Sequence, residues 1–189
     1  QNQPQRGQHP WLLAGSLGRA ERFATDAAQV WGHAAREGAA PPALTAGLPD
    51  RRLREELLVT VHYEASRAAL DPQLVLGLIQ VESAFRKHAV SPAGARGYMQ
   101  VMPFWTRQIG NGEPRTLFDM RANLRYGCTI LRHYLDIEKG DLYMALGRYN
   151  GSRGRPEYPR AVQTAWKRWQ GSGGTATAAK PGNGPRTAM

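Results

Sequence analysis

Cysteine is almost missing from this chain of 189 residues. With Cys128 alone, no intrachain disulfide can close, and a zinc site built on several thiolates is excluded. The histidines His9, His33, His62, His88 and His133 include no pair at helical metal-ligand spacing, so neither a structural metal nor a cofactor is expected. No stretch reaches the roughly 18 consecutive apolar residues that cross a bilayer, so no transmembrane segment is expected. Negative charge is scarce too: 15 Asp and Glu stand against 25 Lys and Arg, a net charge of +10. That imbalance calls for an anionic partner or surface, and nucleic acid, anionic lipid and acidic cell-wall polymer all qualify.

Most of the positive charge is arginine, scattered singly at Arg107, Arg115, Arg121, Arg125 and Arg132 rather than gathered in a block. Nucleic-acid binders favour a basic stripe with interleaved aromatics, so specific nucleic-acid recognition is not expected, and a solvated helix surface accounts for the scatter. The length fits one domain with appendages.

Residues 1–12, rich in Gln and Pro, are expected to be disordered. Over 13–38 an amphipathic helix is expected, since Leu13, Leu17, Ala20, Ala24, Ala27, Trp31 and Ala34 keep a 3.6-residue period. A proline-broken linker at 39–49 then marks the boundary of a main domain at 50–170, and a Gly/Thr/Ala/Pro tail at 171–189 is expected to be disordered. The chain begins at Gln1 without an initiator Met, which reads as the trace of something removed; a secretory signal and an arbitrary start both stay open.

Inside the main domain, Asp50 caps a helix running to about Leu70, and Asp71 with Pro72 starts the next. A short helix is predicted over 104–109, a longer one over 121–138 with the seam Leu124, Cys128, Leu131, Leu135, another from the Asp141 cap through Tyr149, and a last one opened by Pro159. The single thiol belongs to that seam and is expected to be buried and free. Nothing alternates with a strand period, so the class is all-α.

The helix after Asp71 carries a charge where it should be apolar. At about 100° per residue, Leu74, Leu78, Val75 and Ile79 fall at roughly 0, 40, 100 and 140°, and Glu82 at roughly 80°. A carboxyl group on the core side becomes neutral through a raised proton affinity unless it is paired, and a proton held near neutrality is what a general acid needs. The bland alternative has Glu82 closing the helix, reaching solvent or meeting an arginine.

Glu82 belongs to a set. Val81-Glu82-Ser83-Ala84-Phe85, Gly97-Tyr98-Met99-Gln100-Val101-Met102-Pro103 and Ala145-Leu146-Gly147-Arg148-Tyr149-Asn150-Gly151 follow in order, with Asn123-Leu124, Gly127 and Tyr134-Leu135 between the last two. From about Asp50 to Trp169 this resembles the catalytic domain of the family 1 soluble lytic murein transglycosylases, glycoside hydrolase family 23.

The resemblance implies a lysozyme-like helical domain, here with an extra N-terminal helical arm and tails. It implies cleavage of the β-1,4 bond between N-acetylmuramic acid and N-acetylglucosamine in peptidoglycan, with the muramic acid 6-hydroxyl closing on C1 to leave a 1,6-anhydro end. Glu82 is then acid and afterwards base. No second carboxylate stands in the three core motifs, which fits assistance at C1 by the substrate's own N-acetyl group. Ser83, Met99, Gln100, Tyr149 and Asn150 match family positions that meet substrate or brace the site. A C-terminal helix cap or a solvated hydroxyl is the plainer account of Ser83, core packing that of Val101 and Met102, and a half-buried ring with a wet hydroxyl that of Tyr149.

Two departures stand out. Tyr98 takes the place of a commoner Leu and is expected to narrow or re-line the groove; Arg148 takes that of a small residue and is expected to offer charge to stem-peptide carboxylates. Peptidoglycan glycan strands are the expected partner, with room for a cell-envelope protein complex, a monomeric state, and a periplasmic or envelope location. Alternatives are a hydrolytic muramidase and a scaffold that binds the wall with little catalysis.

Overall fold

A computed structural model describes residues 41–172. The expected N-terminal segment 1–12, the expected helix 13–38 and all but the first two residues of the expected tail 171–189 lie outside the described residues. Seven α-helices and one 3-10 turn make up the rest: α1 Pro42–Gly47, α2 Arg51–Arg67, α3 Pro72–Ser83, α4 Phe104–Ile109, the 3-10 turn Pro114–Phe118, α5 Met120–Ile137, α6 Leu142–Asn150 and α7 Glu157–Ser172. Among the described residues the only β features are isolated bridges that tie Val90 to Arg96 and Arg96 to Val101. The domain is all-α.

Local signals start most helices. Asp50 accepts the Leu53 amide at 3.0 Å, Asp71 those of Gln73 and Leu74 at 2.7 and 3.3 Å, and Asp141 that of Met144 at 3.0 Å. Each cap satisfies donors that the first turn leaves without an intrahelical partner. Asp119 does the same for Ala122, so α5 begins at Met120, one residue ahead of the prediction. The last helix begins at Glu157, two residues before Pro159.

The stretch expected to be a linker holds α1. Pro42 stands at the first helical position, where a missing N–H costs nothing, and Leu44 and Leu48 are buried in the core. Proline punctuation there opens an element instead of separating two.

The six residues Leu74–Ile79 are buried on every side, so α3 is the axle of the fold rather than an amphipathic surface helix. Each large side chain removed from water there contributes about 1.5–3 kcal/mol. Helix α7 lies across α3 at Gly77, where an added Cβ would come within 2.7 Å of the Trp166 backbone nitrogen. Two indoles latch the crossing: Trp166 donates to Asp71 at 3.2 Å and Trp169 to Gln80 at 3.0 Å. Helix α5 packs on α2 and α6, burying Leu124, Leu131, Leu135 and the free thiol of Cys128. Helices α3 and α7 together set where the end of α3 points.

Candidate active site

Glu82 is the next-to-last residue of α3. Beyond it the chain turns sharply, with Ala84 and Phe85 both in the left-handed region (φ 48° and 63°), and Phe85 anchors the turn edge-on against Trp169 at 5.8 Å. The helix therefore stops where its last carboxyl group reaches a cleft of about 830 Å³, lined by Glu82, Tyr98 and Gln100 with Arg86, Lys87 and His88 on its rim. Among the residues lining this cleft Glu82 is the sole carboxylate.

The Tyr158 hydroxyl, from the first turn of α7, donates to Glu82 Oε1 at 2.5 Å. Burial raises the Glu82 carboxyl to about 7, and this hydrogen bond, by favouring the ionised form, opposes part of the rise. A carboxyl group so placed is part protonated and part ionised at neutral pH, which suits a group that must give up a proton and then take one back. Burial and the nearby Glu82 charge push the hydroxyls of Tyr158 and Tyr149 well above the ordinary phenol range, so both stay protonated donors.

A tight turn faces this acid. Gly97 takes φ 76°, and a Cβ there would lie 2.4 Å from Asn123 Nδ2. Asn123, fully buried on α5, stitches the turn: its amide donates to the carbonyls of Arg96 and Leu117 at 2.9 and 2.8 Å and accepts the Met99 N–H at 2.8 Å. Ser83 donates to the Tyr98 carbonyl at 2.7 Å, and Tyr149 donates to the Met99 carbonyl at 2.8 Å. The ends of α3 and α6 are thus both tied to the turn that carries Gln100.

These bonds settle where the sequence-predicted residues sit. Ser83 is buried with its hydroxyl bound inward, and the Met99 side chain is buried in the core, so each reaches the turn from inside. Ser83 is held inward by its bond to the Tyr98 carbonyl, and the Met99 side chain packs over Gly127 of α5, where an added Cβ would lie 2.3 Å from its sulfur. Gln100, at φ 48°, donates to the carbonyls of Ala89 and Gly97 at 3.1 and 2.9 Å and lines the cleft. Tyr149 is half-buried, and Asn150 is exposed at the end of α6.

A family model described as the transglycosylase SLT domain matches residues 60–169. The chain belongs to that family. A second model, the SOGP N-terminal domain, matches residues 1–71, most of which lie outside the described residues. The SLT domain is 35% identical over 92 residues to a transglycosylase of Enterobacteria phage PRD1, covering 49% of this chain and 33% of that one. It is 37% identical over 106 residues to membrane-bound lytic murein transglycosylase C of Actinobacillus pleuropneumoniae, covering 56% and 27%. The chain thus spans about a third or less of the length of these curated relatives. Lytic transglycosylase Slt of Pseudomonas aeruginosa, solved as an inactive glutamate-to-glutamine mutant, shares the fold with a TM-score of 0.56 at 20% identity over 84% of this chain and 35% of that one.

The two departures of this SLT domain have different fates. Tyr98 is 1% exposed, lines the cleft, and its buried hydroxyl has no hydrogen-bond partner among the described residues; burial lifts it to about 12. Arg148 does not line the cleft: it pairs with Glu138, which Arg153 also holds at 2.7 Å, and the two guanidinium groups draw that carboxyl down to about 2. The expectation that Arg148 presents a ready charge to stem peptides is corrected by its place: it stands outside the lining of the cleft and shares Glu138 with Arg153. Tyr158 was missed altogether, although a Tyr-Pro pair after a Gly-rich loop was there to be read.

Proposed function

We propose that this domain is a lytic murein transglycosylase. It cleaves the β-1,4 bond between N-acetylmuramic acid and N-acetylglucosamine and leaves a 1,6-anhydro end. The single observation that carries the reading is the half-buried Glu82 carboxyl, held by Tyr158 and lifted toward neutrality in a cleft with no second acid in its lining. The names of the relatives support the same substrate, and Slt, which shares the fold, was solved with one glutamate changed to glutamine as an inactive mutant.

In the first step protonated Glu82 donates to the leaving glycosidic oxygen as the C1–O bond breaks, and the substrate's N-acetyl oxygen closes on C1. The carboxylate formed then takes the proton of the muramic acid 6-hydroxyl, whose oxygen attacks C1 and releases the N-acetyl group. One residue serves both transfers, because the group left ionised by the first is the base required by the second. Tyr158 and the turn at 97–100 act as positioning parts. Gln100, with Tyr149 and Asn150, borders the glycan, while Ser83 and Met99 contribute through the shape of the turn. Water does not enter either step, and no metal or cofactor is called for. The site of action under this reading is the cell envelope.

Digestion of purified sacculi tests the reading directly. Anhydro-muropeptides are the expected product; reducing ends alone would mark a hydrolytic muramidase. Sacculus binding without any cleavage would mark a scaffold.

A further inference from the structure

A second and larger concavity, about 1060 Å³, lies away from Glu82 and shares no lining residue with the cleft described above. It is bounded by the end of α4, the loop after it, Thr116 of the 3-10 turn, and one face of α5. The α5 residues that serve the Met99 turn, Asn123 and Gly127, are separated from Ala122, Arg125, Tyr126 and Thr129, which line this cavity, by roughly a third of a helical turn. Four guanidinium groups converge here: Arg67, Arg107, Arg121 and Arg125.

Two of the four are fixed. Glu64 is 1% exposed and binds Arg125 at 3.0 Å and Arg67 at 3.2 Å from beneath. A buried carboxylate clamped by two guanidinium groups holds both in place, so little rotamer entropy is left to lose when a ligand arrives. Arg107 and Arg121 are exposed and make no ion pair among the described residues. Against the four stand one lining carboxylate, Asp119, whose Oδ1 accepts the Ala122 N–H, and Glu64 below. The pocket keeps an excess of positive charge.

We propose that this pocket binds a short peptide through its carboxylates, and that its natural occupant is the stem peptide of the wall polymer. The planar guanidinium fork matches a carboxylate bidentately. Between the charges lie Ile109, the Tyr126 ring and the amides of Gln108 and Asn111, a lining that suits a small peptide. A nucleic-acid strand would instead call for an open groove with several stacking rings, and only one aromatic lines this one. The site lets the domain hold a strand by its peptides while Glu82 works on the sugars, so part of the chain's positive charge acts at one place instead of as a diffuse attraction.

The proposal rests on the murein reading only for the source of the peptide, and its test needs no glycan. The full chain is titrated calorimetrically with a murein-derived tetrapeptide carrying free carboxylates, with the same peptide amidated, with inorganic phosphate and with a DNA oligonucleotide. The free acid is expected to bind, the amide about tenfold more weakly or worse, and Arg107→Ala/Arg121→Ala to lose about tenfold, as expected for the loss of charge-assisted hydrogen bonds. Both positions are exposed, and circular dichroism checks that the double variant is folded. Equal affinity for acid and amide, no effect of the double variant, or tighter binding of phosphate or oligonucleotide than of peptide each overturns the assignment. A protein that cleaves sacculi but ignores the peptide sinks this inference alone; one that binds the peptide and leaves sacculi intact sinks the transglycosylase reading alone.

Discussion

Tyr158 and Glu82 are 76 residues apart in sequence and joined by one short hydrogen bond. The bond exists because α7 crosses α3 at Gly77 with its first turn over the end of α3. It makes the proton affinity of Glu82 a product of two opposing effects, burial upward and the phenol downward.

Removing the phenol while keeping the ring isolates the second effect. In Tyr158→Phe the Glu82 carboxyl holds its proton to higher pH, so the alkaline limb of kcat/KM against pH is expected to move upward, with a several-fold drop in rate at neutral pH from the lost positioning. A profile of unchanged position, measured on a soluble glycan, would show that the phenol is only packing.

Glu82 itself ties activity to stability. Because burial lifts its carboxyl to about 7 from 4.5, the folded state binds the proton more tightly than the unfolded state does. Its contribution is complete below about pH 4.5 and is lost as pH rises through about 7, up to about 3 kcal/mol over that window. Glu82→Gln should abolish cleavage, about 10²-fold or more, and flatten this slope, so that the variant is the more stable protein at pH 8. Glu82→Ala should likewise lose cleavage and keep the fold. Urea melts at pH 5 and pH 8 check the sign.

Asn123 satisfies three backbone groups of the Gly97–Met99 turn and 3-10 segment from inside the core. Asn123→Leu takes the partner from the Met99 N–H and the Leu117 carbonyl, while the Arg96 carbonyl keeps the Val101 N–H at 3.0 Å, and is expected to cost about 2 kcal/mol or more and to lower activity with Glu82 intact. Denaturant titration together with glycan turnover separates this from a mutation that touches chemistry alone.

Gly77→Ala should be destabilising despite the better helix propensity of alanine. The new methyl would meet the backbone of Trp166, which cannot step aside as a side chain can, and overpacking of this kind costs about 1–3 kcal/mol against a propensity gain of about 1. A lowered Tm with a normal helical spectrum is the expected result; an unchanged or raised Tm would show that the α3–α7 crossing has slack.

Much of the local grammar could be read in advance. Asp50, Asp71 and Asp141 announce their helices because a cap acts within three residues, and the α5 seam ending in Leu135 is legible because a 3.6-residue period is local too. Where proline is the only signal, the structure differs: Pro42 opens α1, and α7 starts two residues before Pro159. The inward position of Ser83 and Met99 was harder, since a hydroxyl or thioether beside an acid reads equally well as facing a ligand or facing the turn.

By itself, then, the order of residues determined an all-helical domain, the family motifs and the acid at the end of the apolar helix, because periodicity and capping depend on near neighbours. Only the tertiary structure decided that Tyr158 tunes that acid, that Arg148 is bound to Glu138, and that Arg67 and Arg125, both held by Glu64, line one pocket with Arg107 and Arg121. Those relationships arise where helices cross, and no short-range pattern in a chain records which helices will do so.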